Sequence, residues 1–87
     1  MSEGFRVTAL GASTLQSEGG ATLDVVTLNT VGTGAIVTLY DSPTASGAVL
    51  AVVTPTAPIS LVYNIELQHG LTVDVATAAC DITIGLG

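Results

Sequence analysis

The chain has 87 residues, a net charge of −6 at pH 7 and 9% charged residues, against about 25% in an ordinary soluble domain. That length holds one hydrophobic core, and a single cysteine (Cys80) and a single histidine (His69) exclude an internal disulfide, a cysteine zinc cluster and a histidine-rich metal site. With Arg6 as the sole cation, the composition also argues against binding nucleic-acid phosphates or an anionic membrane surface.

A chain this short buries only about 60–65% of the surface its unfolded form exposes, so it needs a staple, a metal or a partner. Disulfides and metals are out, which leaves oligomerisation or docking onto a larger body. The mean hydropathy of +0.71 and the hydrophobic fraction of 48% agree with that. Sheets that face water guard their edges with lysine, proline or inward-pointing charge, and this chain has no lysine. No apolar run reaches the roughly 18–20 residues of a membrane-spanning helix. The opening MSEGFRVTAL lacks the basic region and long apolar stretch of a secretion signal, so cytoplasmic synthesis is expected.

In chain order, residues 1–4 are expected as a loose tail and residues 5–10 (FRVTAL) as a first strand, with Phe5, Val7 and Ala9 on one face. Residues 11–20 (GASTLQSEGG) are small and polar and read as a loop or arm, with Leu15 as a candidate anchor. Residues 21–29 (ATLDVVTLN) form a second strand whose apolar residues change face between Val25 and Val26, which implies a bulge or cover on both sides. Residues 30–34 turn the chain. Residues 35–40 and 48–53 then form a hairpin across a long loop, where Asp41 and Ser42 cap nearby backbone N–H groups and Gly47 supplies a positive φ.

Two prolines in 54–58 (TPTAP) break the ladder. Residues 59–67 alternate cleanly, with Ile59, Leu61, Tyr63, Ile65 and Leu67 facing one way. After a turn at His69-Gly70, residues 71–75 put Leu71, Val73 and Val75 inward, opposite Thr72 and Asp74. Residues 76–80 connect to a last strand over 81–84, with Ile82 and Ile84 inward. The prediction is an all-β single domain: a small antiparallel β-sandwich, jelly-roll-like or Greek key, of about seven short strands. Residues 1–20 supply an N-terminal strand and arm, and 21–87 the sandwich.

Catalytic chemistry finds little to work with. His69 sits in a turn before glycine, no serine stands in a G-x-S-x-G elbow, and Cys80 has no adjacent cation to lower its pKa. They read as a surface histidine and a small core filler. Asp24, Glu66, Asp74 and Asp81 lack the tight D-x-D-x-D-G spacing of a calcium loop. Gly32-Thr33-Gly34 is followed by a strand, where a dinucleotide loop requires a helix. Residues 55–58 spell PTAP, which resembles a viral late-domain motif, but a rigid turn between strands is the preferred reading. A sugar site is not expected either, because Phe5, Tyr40 and Tyr63 are the only aromatics. No enzyme, cofactor or metal is expected.

Two segments carry a resemblance. Residues 37–51 (VTLYDSPTASGAVLA) and 70–86 (GLTVDVATAACDITIGL), with LVYNIEL between them, resemble small all-β virion proteins of tailed bacteriophages. The resemblance implies a capsid decoration, or cement, protein that sits on the capsid exterior and ties neighbouring capsomers together, often as a homotrimer. The implied partners are the major capsid protein and further copies of the chain. The N-terminal segment is expected to reach a neighbour, with Phe5, Arg6, Leu10 and Leu15 as candidate contacts. Alternatives of the same build are a tail-tube, collar or fibre-attachment module, or a peptide- or sugar-binding sandwich.

Overall fold

Alternation of valine, isoleucine, leucine and threonine with polar residues becomes eight strands in the computed structural model, which describes residues 3–87 (Glu3 by its backbone alone). The strands are β1 (Glu3–Val7), β2 (Gly11–Gln16), β3 (Thr22–Thr30), β4 (Ile36–Asp41), β5 (Ala48–Val53), β6 (Ile59–Glu66), β7 (Leu71–Ala76) and β8 (Asp81–Leu86). They form two four-stranded sheets, ordered β1-β8-β3-β6 and β2-β7-β4-β5, and every pairing is antiparallel. Each connection crosses between sheets except the β4–β5 hairpin, so the order is that of a jelly roll. Among the described residues there is no helix, hence none long and apolar enough to cross a membrane.

The eighth strand lies where an arm was expected. Residues 11–16 pair with β7 from Gly11↔Val75 to Gln16↔Leu71. Ser13 and Leu15 face inward and are half-buried, while Ala12 and Thr14 are exposed. Leu15 therefore packs against its own core instead of anchoring an arm. The tail is corrected too: Glu3 and Gly4 pair with Leu86 and Gly85. The rest of that expectation, residues 1–2, lies outside the described residues. The first strand also ends at Val7, earlier than expected, and Ala9 and Leu10 are exposed in the turn that follows.

The second strand is bulged as expected, but at Asp24 and not between Val25 and Val26. Register shifts between Leu23 and Val25 against both neighbours, so Leu23 points inward, Asp24 is the inserted residue, and Val26 and Leu28 point inward again. On the β6 side the mismatch is absorbed at Tyr63-Asn64, where Asn64 takes φ +55°. Asparagine tolerates that left-handed region better than most residues.

The inward residues of the central strands close the core: Leu23, Val26, Val37, Leu39, Leu71, Val73, Ile82 and Ile84 are fully buried. The accessible surface is 4423 Å², close to the roughly 4,700 Å² expected of a compact monomer of this mass.

At the β7–β8 turn Thr77 has φ +77°, and the Ala78 N–H donates to the Ala76 carbonyl at 2.9 Å. A three-residue turn closed around a positive φ is the strained form of the γ-turn, and a β-branched residue fits it poorly. The Thr77 side chain is exposed and makes no hydrogen bond to the described residues, so little offsets that strain. Thr77→Gly is expected to stabilise the protein by about 1 kcal/mol, the relieved strain exceeding the added chain entropy of glycine. Thermal unfolding should show the midpoint rising by roughly 4–8 °C.

Candidate docking surface

The groups that could do chemistry are scattered or already engaged. His69 is exposed in the β6–β7 turn, where its backbone N–H, and not its imidazole, is bonded. Cys80 is buried among core residues. Among the described residues no three histidine, cysteine or acidic side chains gather as a metal site would require. A shallow depression of about 190 Å³ lies between the β3–β4 and β5–β6 loops, lined by Val31, Gly32, Thr33, Gly34, Pro55 and Thr56. It is smaller than the roughly 300–1,000 Å³ of ordinary ligand pockets, and no titratable side chain lines it.

Asp41 is the most constrained acid, and its partners are not the local ones expected. Its carboxylate accepts from the Gln68 N–H at 3.0 and 3.1 Å and from the His69 N–H at 2.8 Å, tying the end of β4 to the β6–β7 turn. Burial pushes its pKa up, but the N–H groups of His69, Gln68 and Gly70 outweigh that and hold it below the usual carboxylate range. Ser42 behaves as expected, its Oγ accepting from the Thr44 N–H at 3.2 Å. Its carbonyl accepts from the buried Thr72 hydroxyl at 2.9 Å. That explains why Thr72, expected on the outer face, is fully buried. The Thr14 hydroxyl completes the cluster, donating to the Pro43 carbonyl at 3.0 Å and lying 3.1 Å from the Thr72 hydroxyl. These contacts lock one end of the sandwich; they leave no group free for a ligand.

On the outer face of the other sheet, Arg6 and Asp81 form a bidentate pair, with Nε to Oδ1 at 2.9 Å and a second bond at 2.5 Å. The guanidinium holds the Asp81 carboxyl below its ordinary range. Beside it, the Asn29 amide donates to the Thr83 hydroxyl at 2.9 Å.

The remaining distinctive surface is apolar. β5 and β6 are edge strands of opposite sheets joined by residues 54–58, so they border the same side of the sandwich. Four large hydrophobic side chains stand exposed on these two strands, but not on one face. Val49 (52%) and Val52 (59%) pair with Tyr40 and Thr38 and point out of the sheet that holds β4. Val62 (72%) pairs with Val25 and points out of the opposite sheet, and Ile59 (48%) lies between the sheets. Ile59 belongs to the inward-facing set of β6, yet it is open to water. Leu50, Ala51, Val53, Leu61, Tyr63 and Ile65 pack on the core only half-buried. On this side, then, the interior itself reaches solvent. All eight charged residues, seven acids and Arg6, lie outside residues 42–65. Residues 42–65 are therefore uncharged, and exposed Glu66 ends β6.

The four contact residues expected from the sequence do not form one patch. Phe5 and Leu15 pack against the core, in different sheets. Arg6 is exposed but paired with Asp81, and Leu10 is exposed (56%) in the β1–β2 turn. The β5/β6 side was missed because valines on an edge strand follow the same period as valines in a core. What could have revealed it is the charge-free run from 42 to 65. No family model matches the chain, and no curated protein is significantly similar to it.

Proposed function

We propose that this protein is a structural component of a tailed-phage virion, decorating the outside of the capsid and cementing neighbouring capsomers. The observation that carries the reading is the set of exposed apolar side chains on the edge strands β5 and β6 of an otherwise tightly locked sandwich. The resemblance of residues 37–51 and 70–86 to phage virion proteins supports it. A locked jelly roll offers rigid surfaces, and rigid surfaces suit a protein whose task is to bind.

On this reading the protein carries out no reaction and binds no cofactor. It binds the assembled lattice in preference to free capsid subunits, so its binding free energy adds to the stability of the shell. Small symmetric oligomers, trimers on this reading, repeat each contact around a lattice point, which makes individually modest contacts effective. Leu10 and Arg6, exposed near one end of the sandwich, are the residues proposed to touch the capsid.

Co-sedimentation with phage heads assembled without a decoration protein tests the proposal. Saturable binding at a fixed ratio to capsid subunits is the expected result, and Leu10→Asp should weaken it without changing the protein's own unfolding. Heads that sediment free of the protein would remove the cement role.

A further inference from the structure

We propose that β1 is a strap. It opens as a unit about residues 8–10 while the rest of the sandwich stays folded, and the Arg6–Asp81 pair is the latch that holds it shut. This goes beyond the cement reading and does not depend on it.

The four sheet-edge strands are β1, β6, β2 and β5, and they are not equally secured. β2 is pinned by the Thr14 hydroxyl, which donates to the Pro43 carbonyl in the β4–β5 loop. β5 shares that loop with β4, and the Ser42 hydroxyl caps it. β6 runs into the turn that the Asp41 carboxylate holds. Just beyond β6, the Leu67 N–H donates to the Ala21 carbonyl at 2.8 Å, and its carbonyl accepts from the Gly20 N–H at 3.0 Å. β1 pairs with β8 alone, over five residues, and brings only half-buried Phe5 and buried Val7 to the core. Residues 8–10 are exposed and make no backbone hydrogen bond among the described residues. Segments with few buried contacts and an unbonded connection are the ones that open below the global unfolding free energy.

Arg6 is the one β1 side chain that bonds to another element among the described residues. It stands opposite Thr83 in the ladder, which places Asp81 two residues away on the same outer face of β8. A long side chain reaches that diagonal position, and the guanidinium grips the carboxylate with two bonds. The pair breaks whenever β1 lifts, so it sets how often β1 lifts. Opening leaves the facing groups of β8 unpaired and makes that strand the edge of its sheet.

Residue-resolved amide hydrogen exchange by NMR tests strap and latch separately. In the wild type, the β1 amides bonded to β8 should share one protection factor, about tenfold or more below the best protected amides of β4 and β7. Low urea should barely change it, because little surface is exposed when β1 alone opens. Arg6→Gln and Asp81→Asn, both surface changes, should each speed β1 exchange by roughly two- to fivefold. Asp41→Ala should speed the slowest β4 and β7 amides and leave β1 unchanged, since the Asp41 contacts persist when β1 is open. β1 amides as protected and as urea-sensitive as those of β4 and β7 would overturn the strap. β1 exchange unmoved by Arg6→Gln and Asp81→Asn would overturn the latch.

Discussion

Replacing Gly70 with alanine should cost about 3 kcal/mol or more and lower the unfolding midpoint by roughly 12–24 °C. Gly70 is buried with φ +142°, a conformation that residues with a Cβ rarely adopt. A Cβ there would stand 2.4 Å from the Gln16 carbonyl oxygen and 3.4 Å from the Pro43 nitrogen. Both neighbours are backbone, one at the end of β2 and one in the β4–β5 loop, so no flexible side chain can swing aside. Relief would require moving β2 away from β7 at the register pair Gln16↔Leu71. Chemical denaturation should therefore show a large fall in midpoint. Gly20, by contrast, has nothing within 4 Å of an added Cβ, so its alanine variant meets only the penalty of its positive φ (+102°).

The second large effect is at Asp41. Asp41→Ala removes the acceptor for the Gln68 and His69 N–H groups and leaves them half-buried and unpaired, at a cost of about 2–3 kcal/mol. The pH dependence identifies the cause. The folded-state pKa of Asp41 lies below its ordinary value, so its stabilisation is fully present above about pH 4, the unfolded carboxylate value. It is lost as pH falls from there through the folded value. Asp41→Asn should accordingly flatten the acid limb of the stability curve while lowering the plateau at neutral pH. Asp81, held down by Arg6, keeps a weaker acid sensitivity of its own. Because Asp41 and Gly70 both secure the β6–β7 turn, the double variant should lose less than the sum of the two single losses.

Much of the fold was legible in the sequence because most of its strands turn one apolar face inward and the alternation survives there. Ile59 to Leu67, Leu71 to Val75 and the hairpin on either side of Asp41–Gly47 were placed correctly for that reason. β2 was not, because a sheet-edge strand built from Gly, Ala, Ser and Thr carries only Ser13 and Leu15 as inward residues, too faint an alternation to separate from a polar loop. Asp41 was recognised as a turn residue, but its partners lie 27 and 28 positions away and depend on how the loops stack at one end of the jelly roll. Thr72 was assigned outward by period two and is buried because the Ser42–Pro43 elbow folds over it. Local chemistry names the residues that cap and turn; the sheet order decides what they touch.

The docking surface was legible only as a global imbalance. Low charge and high hydropathy pointed to surplus apolar surface, and much of it stands on the edge strands β5 and β6, whose exposed side chains include Val49, Val52, Ile59 and Val62.

On the proposed structural reading, the chain gains stability from its own concentration. The direct measurement is the thermal unfolding midpoint of the wild type and of Val52→Lys over about a 100-fold range of protein concentration. The wild-type midpoint should climb by several degrees, while that of the variant stays flat. A wild-type midpoint that does not move, with the protein monomeric throughout, would mean that β5 and β6 need no neighbour.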